Sequence, residues 1–309
     1  MTEDSPILAP PAFLAPAPAK LNLFLRVLGR RPDGYHELHS LVAFADTCDL
    51  VHVAGAESFS FTATGPMAAG LDAQTENLCI RAAFALAAHV GRPPAVAITL
   101  VKYLPVASGI GGGSSDAAAT LRALVEFWSL SIPEEDLAAI ASDLGADVPA
   151  CLAGVPAEIR GFGEIVEPVP PLPEASVVMV NPGIPLPTAR VFHHWSGAPS
   201  RSLPWIPPAT IQALGAALAR CGNDLTAAAI AEVPDIAQVL DALAARPDCL
   251  LARMSGSGAT CFGLFEGHDI AQAAAEVLQL SHPAWWVRAA RLLPEAPAVA
   301  LTSSVPPGE

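Results

Sequence analysis

The sequence predicts an α+β fold in two parts. Strand-like and helix-like segments follow one another irregularly instead of in a regular βαβ series, which favours α+β. A proline-rich break at 167–174 (EPVPPLPE) divides the chain. We therefore predict one domain over residues 15–170 and a second over 174–293. Because proline-rich segments extend without packing, residues 1–14 are expected to form a flexible arm and residues 294–309 a loose tail.

The spacing of apolar residues along the chain predicts where the individual strands and helices lie. Residues 58–63 (SFSFTA) alternate strictly, as a half-buried strand does, whereas residues 116–128 (DAAATLRALVEFW) combine helical spacing with strong helix formers. On the same grounds we predict strands or extended segments at 19–27, 35–53, 58–63, 96–101 and 176–180 and a strand–loop–strand unit at 250–265. The predicted helices are 76–90, 116–128, 133–144, 209–220, 224–231, 234–245 and 269–279.

Composition limits the possible partners and the compartment. The formal net charge of −14 argues against nucleic acid as a partner, because an acidic surface repels a phosphate backbone. The sequence contains no uninterrupted apolar stretch long enough for a membrane span and no signal-peptide pattern at its start. Its six cysteines form no Cys-x-x-Cys pair. These features predict a cytoplasmic protein, and they leave the oligomeric state open.

A glycine-rich segment follows the strand at 96–101. Gly109, Gly111, Gly112 and Gly113 allow backbone N–H groups to turn together towards an anion, and Ser114, Ser115 and Asp116 offer N-cap oxygens for the next helix. A simple turn needs one or two glycines, so phosphate binding is the favoured interpretation. The segment is not Walker A, because no Lys-Ser/Thr pair follows, and its glycine spacing does not fit the dinucleotide fingerprint.

Two charged residues could supply chemistry beside that segment. Asp147, in Gly-Ala-Asp-Val-Pro, could accept or orient the proton of an attacking hydroxyl. An N-cap aspartate on a short helix from Val148 is an equally good interpretation of the residues alone. Lys20 and Asn22 share one face of the first strand, and a cation there would keep Asp147 ionised. The alternative for Lys20 is a solvated edge-strand lysine.

Two further segments could contact a ligand. Tyr35 and His36 follow a turn and could stack on a base and bond to its edge; the alternative is an ordinary aromatic beside a turn. His36 and His39 have no cysteine or third histidine nearby, so a metal site is not predicted there. The second segment, 255–258 (SGSG), could be a simple hairpin, but together with the first glycine segment it suggests backbone that approaches a ligand from the other domain.

The order of these motifs resembles that of a known family. Leu104 to Ala118 resembles the phosphate loop of the GHMP kinases, named for galacto-, homoserine, mevalonate and phosphomevalonate kinases. The resemblance covers roughly residues 15–293 and is strongest to the branch whose acceptor is a cytidine diphosphate sugar-alcohol. It implies an N-terminal ribosomal-protein-S5-like nucleotide-binding domain and a C-terminal ferredoxin-like α/β sandwich domain. The motifs that carry it are 19–23, 33–36, 76–78, 109–113, 145–149, 181–183, 187–188 and 255–259.

The resemblance also implies a role for each matching residue. Asp147 would be the catalytic base and Lys20 its cationic partner, with ATP as phosphoryl donor and Mg²⁺ expected, although no residue can be named as its ligand. The ATP-binding set would be Lys102, Pro105, Val106, Ala107, Ser108, Gly109, Ile110, Gly111, Gly112, Gly113, Ser114 and Ser115. The acceptor-binding set would be Asn22, Tyr35, His36, Thr188 and Phe192, with Tyr35 and Phe192 stacking on cytosine.

Two competing functions remain at this point. One is another GHMP kinase that acts on a sugar or on mevalonate, against which Tyr35 and His36 argue. The other is a non-catalytic nucleotide-binding regulator on the same fold, against which the joint presence of Lys20 and Asp147 argues. A substrate screen separates the first from the favoured function, and turnover measurements separate the second.

Overall fold

A computed structural model describes residues 12–69, 71, 77–202 and 204–302. Its strands are β1 (Ala12–Arg30), β2 (His36–Gly55), β3 (Ser60–Thr64), β4 (Val96–Val101), β5 (Ala157–Gly161), β6 (Ile165–Pro168), β7 (Ser176–Asn181), β8 (Leu251–Met254), β9 (Cys261–Phe265), β10 (Trp286–Leu293) and β11 (Ala300–Thr302). Its helices are α1 (Leu78–His89), α2 (Gly112–Phe127), α3 (Glu134–Leu144), α4 (Val148–Ala153), α5 (Thr188–His194), α6 (Ile211–Ala219), α7 (Thr226–Glu232), α8 (Asp235–Ala244) and α9 (His268–Ser281).

The described strands join in one continuous sheet. Its main path runs β11-β1-β2-β10-β7-β9-β8, and β4 and β5 also pair with the long strand β2. The two predicted domains meet where β10 pairs antiparallel with β2 at Leu292–Ala45 and Leu293–Phe44. β10 therefore returns from the C-terminal half and hydrogen-bonds to the N-terminal half, which fixes the two halves against each other.

The predicted arm and tail are partly ordered. Ala12, Phe13 and Leu14 pair with Thr302, Leu301 and Ala300, so the ends of the described chain form adjacent antiparallel strands. The prediction of a flexible arm and a loose tail is therefore wrong for residues 12–14 and 300–302, because each segment supplies backbone hydrogen-bond partners to the other. Residues 1–11 and 303–309 lie outside the described part.

The core falls into three main apolar clusters. One packs α1, α2 and α3 against β2 and β4 in the N-terminal half, and a second packs α7, α8 and α9 against β7 and β9 in the C-terminal half. The third joins the halves, because it combines Leu21 and Phe24 of β1 with Phe262 of β9 and Leu214 of α6. The first strand is thus packed against both halves of the protein.

Most of the predicted elements are present, and the α+β class is confirmed. Sequence periodicity missed the hairpin β5–β6, the strand β10 and the short helix α5, whereas the short helix α4 was one of the two interpretations of the Asp147 motif. β10 places Arg288 and Arg291 among apolar residues, so its pattern is not a clean alternation. The predicted helix at 76–90 is confirmed over α1, although residue 76 is outside the described ranges.

Substitution of the residue that links β1 to the third cluster tests this packing. Phe24 is 1% exposed and its ring lies 5.1 Å from that of His39 and 5.5 Å from that of Trp205. We expect Phe24→Ala to lower the free energy of unfolding by about 3–5 kcal/mol, measured by urea denaturation, because a buried ring leaves a cavity. Phe84→Ala, at a ring 48% exposed, is the control and should cost about 1 kcal/mol or less. Equal losses of unfolding free energy in the two variants would contradict the assignment of Phe24 to the buried core.

Candidate active site

The glycine segment, residues 108–115, lies after β4 and includes the first turn of α2. Its backbone passes through the left-handed conformation at Gly111, with φ of 64°, and the helix begins at Gly112. The first-turn N–H groups of a helix lack intrahelical partners, and within the described part of the chain no side chain caps α2. The positive end of the α2 dipole and these N–H groups therefore face the segment, which makes it suited to bind an anion.

The start of α2 corrects the sequence prediction in two ways. The helix begins inside the glycine segment, earlier than the predicted Asp116, so Ser114, Ser115 and Asp116 are helical residues and do not act as N-caps. The Ser115 hydroxyl donates to the carbonyl of Pro18 at 2.6 Å and holds α2 against β1. The side chain of Ile110 is fully buried in the core. These two side chains are engaged in packing, so any contact of Ser115 and Ile110 with ATP would come from their backbone N–H groups, and their place in the ATP-binding set stays a prediction.

The remaining predicted nucleotide residues line one cavity, called the loop cavity. It has a volume of about 510 Å³ and also contains Lys20, Asn22 and Asp147. The Ser108 hydroxyl donates to the Pro105 carbonyl at 2.6 Å and closes the turn that leads into the glycines. The residues of this turn and of the glycine segment that line the cavity are Pro105, Val106, Ala107, Ser108, Gly109, Gly111, Gly112, Gly113 and Ser114.

Lys20 and Asp147 form an ion pair at the edge of this cavity. Lys20 Nζ lies 2.8 Å from Asp147 Oδ1; the lysine side chain is 3% exposed, whereas that of the aspartate is 46% exposed. The backbone N–H of Lys20 donates to the backbone carbonyl of Ile110 at 2.9 Å, and this hydrogen bond attaches β1 to the glycine segment. Lys20 is therefore not a solvated edge-strand residue, and the accessible carboxylate is held by a buried cation.

The position of Asp147 separates the two interpretations of its sequence motif. Asp147 does precede a short helix, α4, at Val148. Within the described residues, however, its carboxylate makes no capping hydrogen bond to that helix. The carboxylate bonds to Lys20 instead and lines the loop cavity. The geometry therefore favours a chemical role over a capping role.

Asn22 of β1 lines the loop cavity beside Lys20. Its Nδ2 donates to the Ser40 hydroxyl at 2.8 Å, and that hydroxyl donates to the carbonyl of Phe24. Its Oδ1 is buried and has no hydrogen-bond partner among the described residues. A buried amide oxygen without a partner is an acceptor that a ligand hydroxyl can satisfy. The predicted contact of Asn22 with the acceptor remains consistent with this placement.

Lys102 lines the loop cavity and forms ion pairs with two carboxylates. Its Nζ lies 2.5 Å from Asp49 Oδ2 and 2.6 Å from Asp116 Oδ2, and all three side chains are buried. The other oxygen of Asp49 accepts the backbone N–H groups of Tyr103 and Leu104. The predicted position of Lys102 along the nucleotide stays a prediction: its charge is compensated by two buried carboxylates, and its side chain also lines the loop cavity. Asp49, which sequence reasoning missed, fixes the chain where it leaves β4.

The charges of this cluster shift its pKa values. Burial raises the pKa of Asp116 well above its usual range, against the lowering effect of the Lys102 charge. Burial alone would lower the pKa of Lys102, but Asp116 and Asp49 outweigh it, so the pKa of Lys102 is raised. The ammonium therefore stays charged and holds β2, β4 and α2 together directly beneath Gly112.

The second glycine–serine segment, residues 255–260 and called the second loop, packs against the first. The Ser255 hydroxyl accepts the N–H of Asn22 at 3.0 Å and donates to the carbonyl of Gly109 at 2.9 Å. A Cβ on Gly109 would lie 2.6 Å from the backbone oxygens of Ser255 and Gly258. The second loop therefore holds the glycine segment in addition to lining the cavity with Gly256 and Ser257. This support was not anticipated from the sequence.

A second cavity, called the aromatic cavity, adjoins the first. It has a volume of about 600 Å³, and the two cavities share lining residues that include Phe162, Thr188 and Phe192. Tyr35 lies 5.5 Å from Phe162, and His36 stacks on Phe192 with ring centroids 5.0 Å apart. The predicted acceptor residues Tyr35, His36, Thr188 and Phe192 are thus brought together.

The polar groups of the aromatic cavity favour a neutral ligand edge. Burial, followed by the nearby charge of Arg30, lowers the pKa of His36, so its imidazole is neutral near pH 7 and offers one donor and one acceptor. Trp195 contacts His36 edge-on at 5.5 Å. Phe162 and Trp195 were missed, because no sequence spacing links them to Tyr35 or His36. A flat ring with polar edges fits between these groups.

Metal ligands are sparse in this site. Across residues 12–69, 71, 77–202 and 204–302, no group of three or more His, Cys, Asp or Glu is arranged to hold a metal ion. Two carboxylates line the loop cavity, those of Asp116 and Asp147. Oδ1 of Asp116 is buried without a hydrogen-bond partner among these residues. This donor set fits a divalent cation that arrives on a nucleotide, because Mg²⁺ takes one or two protein carboxylates and completes its shell with phosphates and water.

Comparison with known proteins identifies the class. The GHMP kinases N terminal domain matches residues 77–155 and the GHMP kinases C terminal domain matches residues 209–283. A crystal structure of homoserine kinase from Cytophaga hutchinsonii aligns with 98% of this chain and 100% of its own at a TM-score of 0.68, although only 16% of residues are identical, so it shows the fold alone. The fold is that of a GHMP kinase, and the predicted resemblance is confirmed.

The particular family follows from closer relatives. The chain is 51% identical over 279 residues to 4-diphosphocytidyl-2-C-methyl-D-erythritol kinase of Cereibacter sphaeroides, covering 89% of this chain and 98% of the relative. The kinase of the same name from Paramagnetospirillum magneticum is 49% identical over 91% of this chain and 99% of its own. A crystal structure of 4-(cytidine 5'-diphospho)-2C-methyl-D-erythritol kinase is 37% identical in sequence. It aligns with 90% of this chain and 98% of its own at a TM-score of 0.75. The chain belongs to the 4-diphosphocytidyl-2-C-methyl-D-erythritol kinase family.

The Lys102 cluster yields a stability prediction. Lys102→Met leaves two carboxylates buried without their cation, so we expect the free energy of unfolding to fall by about 3–5 kcal/mol in chemical denaturation. Arg291→Met is the control, since its contact with Asp46 is 3.8 Å long and largely exposed. That variant should lose about 1 kcal/mol or less. A Lys102→Met protein as stable as the control would contradict the role assigned to the cluster.

Proposed function

We propose that this chain transfers the γ-phosphate of ATP to the 2-hydroxyl of 4-diphosphocytidyl-2-C-methyl-D-erythritol, a step of the non-mevalonate (methylerythritol phosphate) route to isoprenoids. The observation that carries the proposal is the Lys20–Asp147 pair, 2.8 Å apart, in the loop cavity, which shares lining residues with the aromatic cavity. Relatives named for this substrate over nearly their full length support it. Neither alternative function is favoured by these names.

The donor end is the loop cavity. The N–H groups at the start of α2 and the glycine backbone bind the phosphates of ATP, because a helix N-terminus and convergent N–H groups favour an anion. Gly111 places the loop backbone close to Lys20, since a Cβ there would lie 3.1 Å from the Lys20 Cβ. The lysine charge therefore acts on the same phosphates. Positioning and charge stabilisation of this kind carry most of the catalysis in phosphoryl transfer.

The acceptor end is the aromatic cavity. Tyr35 and Phe192 stack on the cytosine, and His36 bonds to its polar edge. Thr188, which lines both cavities, lies where the diphosphate passes from one to the other. Asn22 offers its Oδ1 to the sugar alcohol. With the cytosine in the aromatic cavity, the sugar-alcohol end of the acceptor lies next to Asp147.

Asp147 acts on the attacking hydroxyl. Its carboxylate accepts or orients the hydroxyl proton, and the Lys20 ammonium, 2.8 Å away, stabilises charge on the transferring group. Mg²⁺, held by the ATP phosphates with Asp116 or Asp147 as a protein ligand, would neutralise phosphate charge. The protein has a net charge of −14, and both the acceptor and ATP are anionic. Local cations are therefore needed to offset the repulsion between them.

The cysteines agree with a cytoplasmic location, which we propose as well. All six cysteines are free thiols, and disulfides are rare in reducing compartments. Burial raises the pKa of Cys151, beside Ser115, to about 12, so this thiol near the site stays protonated. None of the helices in the described ranges has the length and apolar character that crossing a bilayer requires.

The direct test is coupled ADP release with and without the cytidyl acceptor. We expect ADP release that depends on this acceptor and does not occur with mevalonate or galactose. Turnover with mevalonate or galactose but none with the cytidyl acceptor would refute the proposed substrate. ATP binding without turnover of any acceptor would favour the regulator instead.

Substitution of the proposed base gives a second prediction. Asp147→Asn keeps the size of the side chain but removes its basicity, so we expect turnover to fall about 100-fold or more while ATP still binds. ATP binding is measured by calorimetry and turnover by ADP release. Asp143→Asn, at an exposed carboxylate of α3, is the control and should keep normal turnover. Near-normal turnover of Asp147→Asn would refute the base assignment.

Loss of the stacking ring gives a third prediction. Tyr35→Ala removes one face of the proposed cytosine site, so we expect the KM for the acceptor to rise about 10-fold, since stacking on one aromatic ring contributes about 1–3 kcal/mol. The KM for ATP serves as the internal control and should not change, because Tyr35 lines the aromatic cavity and not the loop cavity. An unchanged KM for the acceptor would contradict the stacking of cytosine on Tyr35.

A further inference from the structure

One wall of the aromatic cavity stands on a very short helix. α5 has seven residues, and four of them line the cavity: Thr188, Ala189, Phe192 and His193. Trp195, which follows directly, lines it as well. Such a short helix is unstable by itself, so its position must be set by tertiary contacts. The question is therefore which groups hold α5 in place.

The first contact is made by a single carboxylate at the end of α7. Glu232 Oε2 lies 2.5 Å from Arg190 Nη2, and Glu232 Oε1 lies 2.5 Å from His194 Nδ1. Arg190 and His194 are four residues apart and therefore share one face of α5, whereas Thr188 and Phe192 share another. Both oxygens of Glu232 thus bind the side of the helix that faces away from the cavity.

The burial of the Glu232 carboxylate distinguishes the contact from an ordinary surface ion pair. The side chain of Glu232 is 11% exposed, while those of Arg190 and His194 are 64% and 47% exposed. A solvent-exposed pair contributes little, because water and salt screen it. A sheltered carboxylate that uses both oxygens restricts the orientation of the helix more strongly.

The second contact ties the start of α5 to the second loop. Thr188 Oγ1 lies 2.8 Å from Ser257 Oγ. The segment just before α7 reaches the same loop, since Asn223 Nδ2 donates to the carbonyls of Met254 and Gly256, each at 2.8 Å. α5 is therefore held at its start by the second loop and at its end by α7, and these two supports are bonded to each other.

We propose that Glu232 is a positioning residue for the acceptor. It holds α5 so that Phe192 keeps its stacked position against His36, and so that Trp195 keeps its edge contact with the same ring. Glu232 touches neither cavity, so it acts only through α5. The inference rests on the proposed function, in which the aromatic cavity binds the base of the acceptor.

The test compares the two substrates of one enzyme. Glu232→Gln keeps the size of the side chain and removes its charge, so we expect the KM for the cytidyl acceptor to rise about 10-fold, equivalent to about 1.4 kcal/mol. The KM for ATP and the kcat at saturating acceptor should change less than about twofold, because the glycine segment is held by Ser255 and by the backbone of Lys20 and not by α5. Calorimetric binding of cytidine diphosphate should weaken by the same factor as the acceptor KM rises.

Two further variants control the result. Asp136→Asn removes another carboxylate–histidine contact, to His89 at 3.6 Å on the N-terminal half, and should leave both KM values unchanged. In an Arg190→Gln/His194→Gln background, Glu232→Gln should add no further effect, because coupled groups are not additive. If Glu232→Gln does not fold, His194→Gln removes one of the two contacts and should still raise the acceptor KM.

The outcomes separate the two proposals. A folded Glu232→Gln enzyme with an unchanged acceptor KM, or with equal losses in the ATP and acceptor KM values, overturns the positioning role while the proposed function stands. A wild-type protein that neither turns over the cytidyl acceptor nor binds cytidine diphosphate overturns the proposed function and the positioning role with it.

Discussion

The close contact between two glycine loops is the constraint on which the site depends. The Ser255 hydroxyl accepts a hydrogen bond from Asn22 of β1 and donates one to Gly109, so one oxygen connects a strand of the N-terminal half, the glycine segment and the C-terminal half. The approach is possible only because Gly109 has no Cβ. The glycine segment is therefore rigidly supported before any nucleotide binds, which is the preorganisation that stabilisation of a charged transition state requires.

The same region resolves the problem of an acidic protein that binds anions. The chain has two lysines, Lys20 and Lys102, among its 16 basic residues, and both lie buried at the glycine segment. Lys102 is neutralised by two carboxylates and serves to hold the segment. Lys20 shares its charge with the exposed carboxylate of Asp147. Backbone N–H groups and the α2 dipole thus supply much of the local positive potential, as they do wherever helix termini bind phosphate.

A single sheet couples the two substrate sites. β10 joins the halves through β2, and β1 belongs to both cores. The second loop contacts the glycine segment through Ser255 and α5 through Ser257, so donor and acceptor cavities share one support. We infer that this arrangement keeps the distance between the two cavities fixed, since neither wall can move without breaking contacts to the other.

The sequence by itself determined the α+β class, most element positions and the residue types at the site. Those signals are local: glycines between a strand and a helix, a carboxylate after a helix, and a lysine and an asparagine on one strand face. Sequence could not decide whether Asp147 caps α4 or faces a cavity, because both uses have the same motif. It could not show that Lys102 pairs with Asp49, which is distant in sequence. Only tertiary structure decided such pairings, since hydrogen bonds and ion pairs join groups that no periodicity connects.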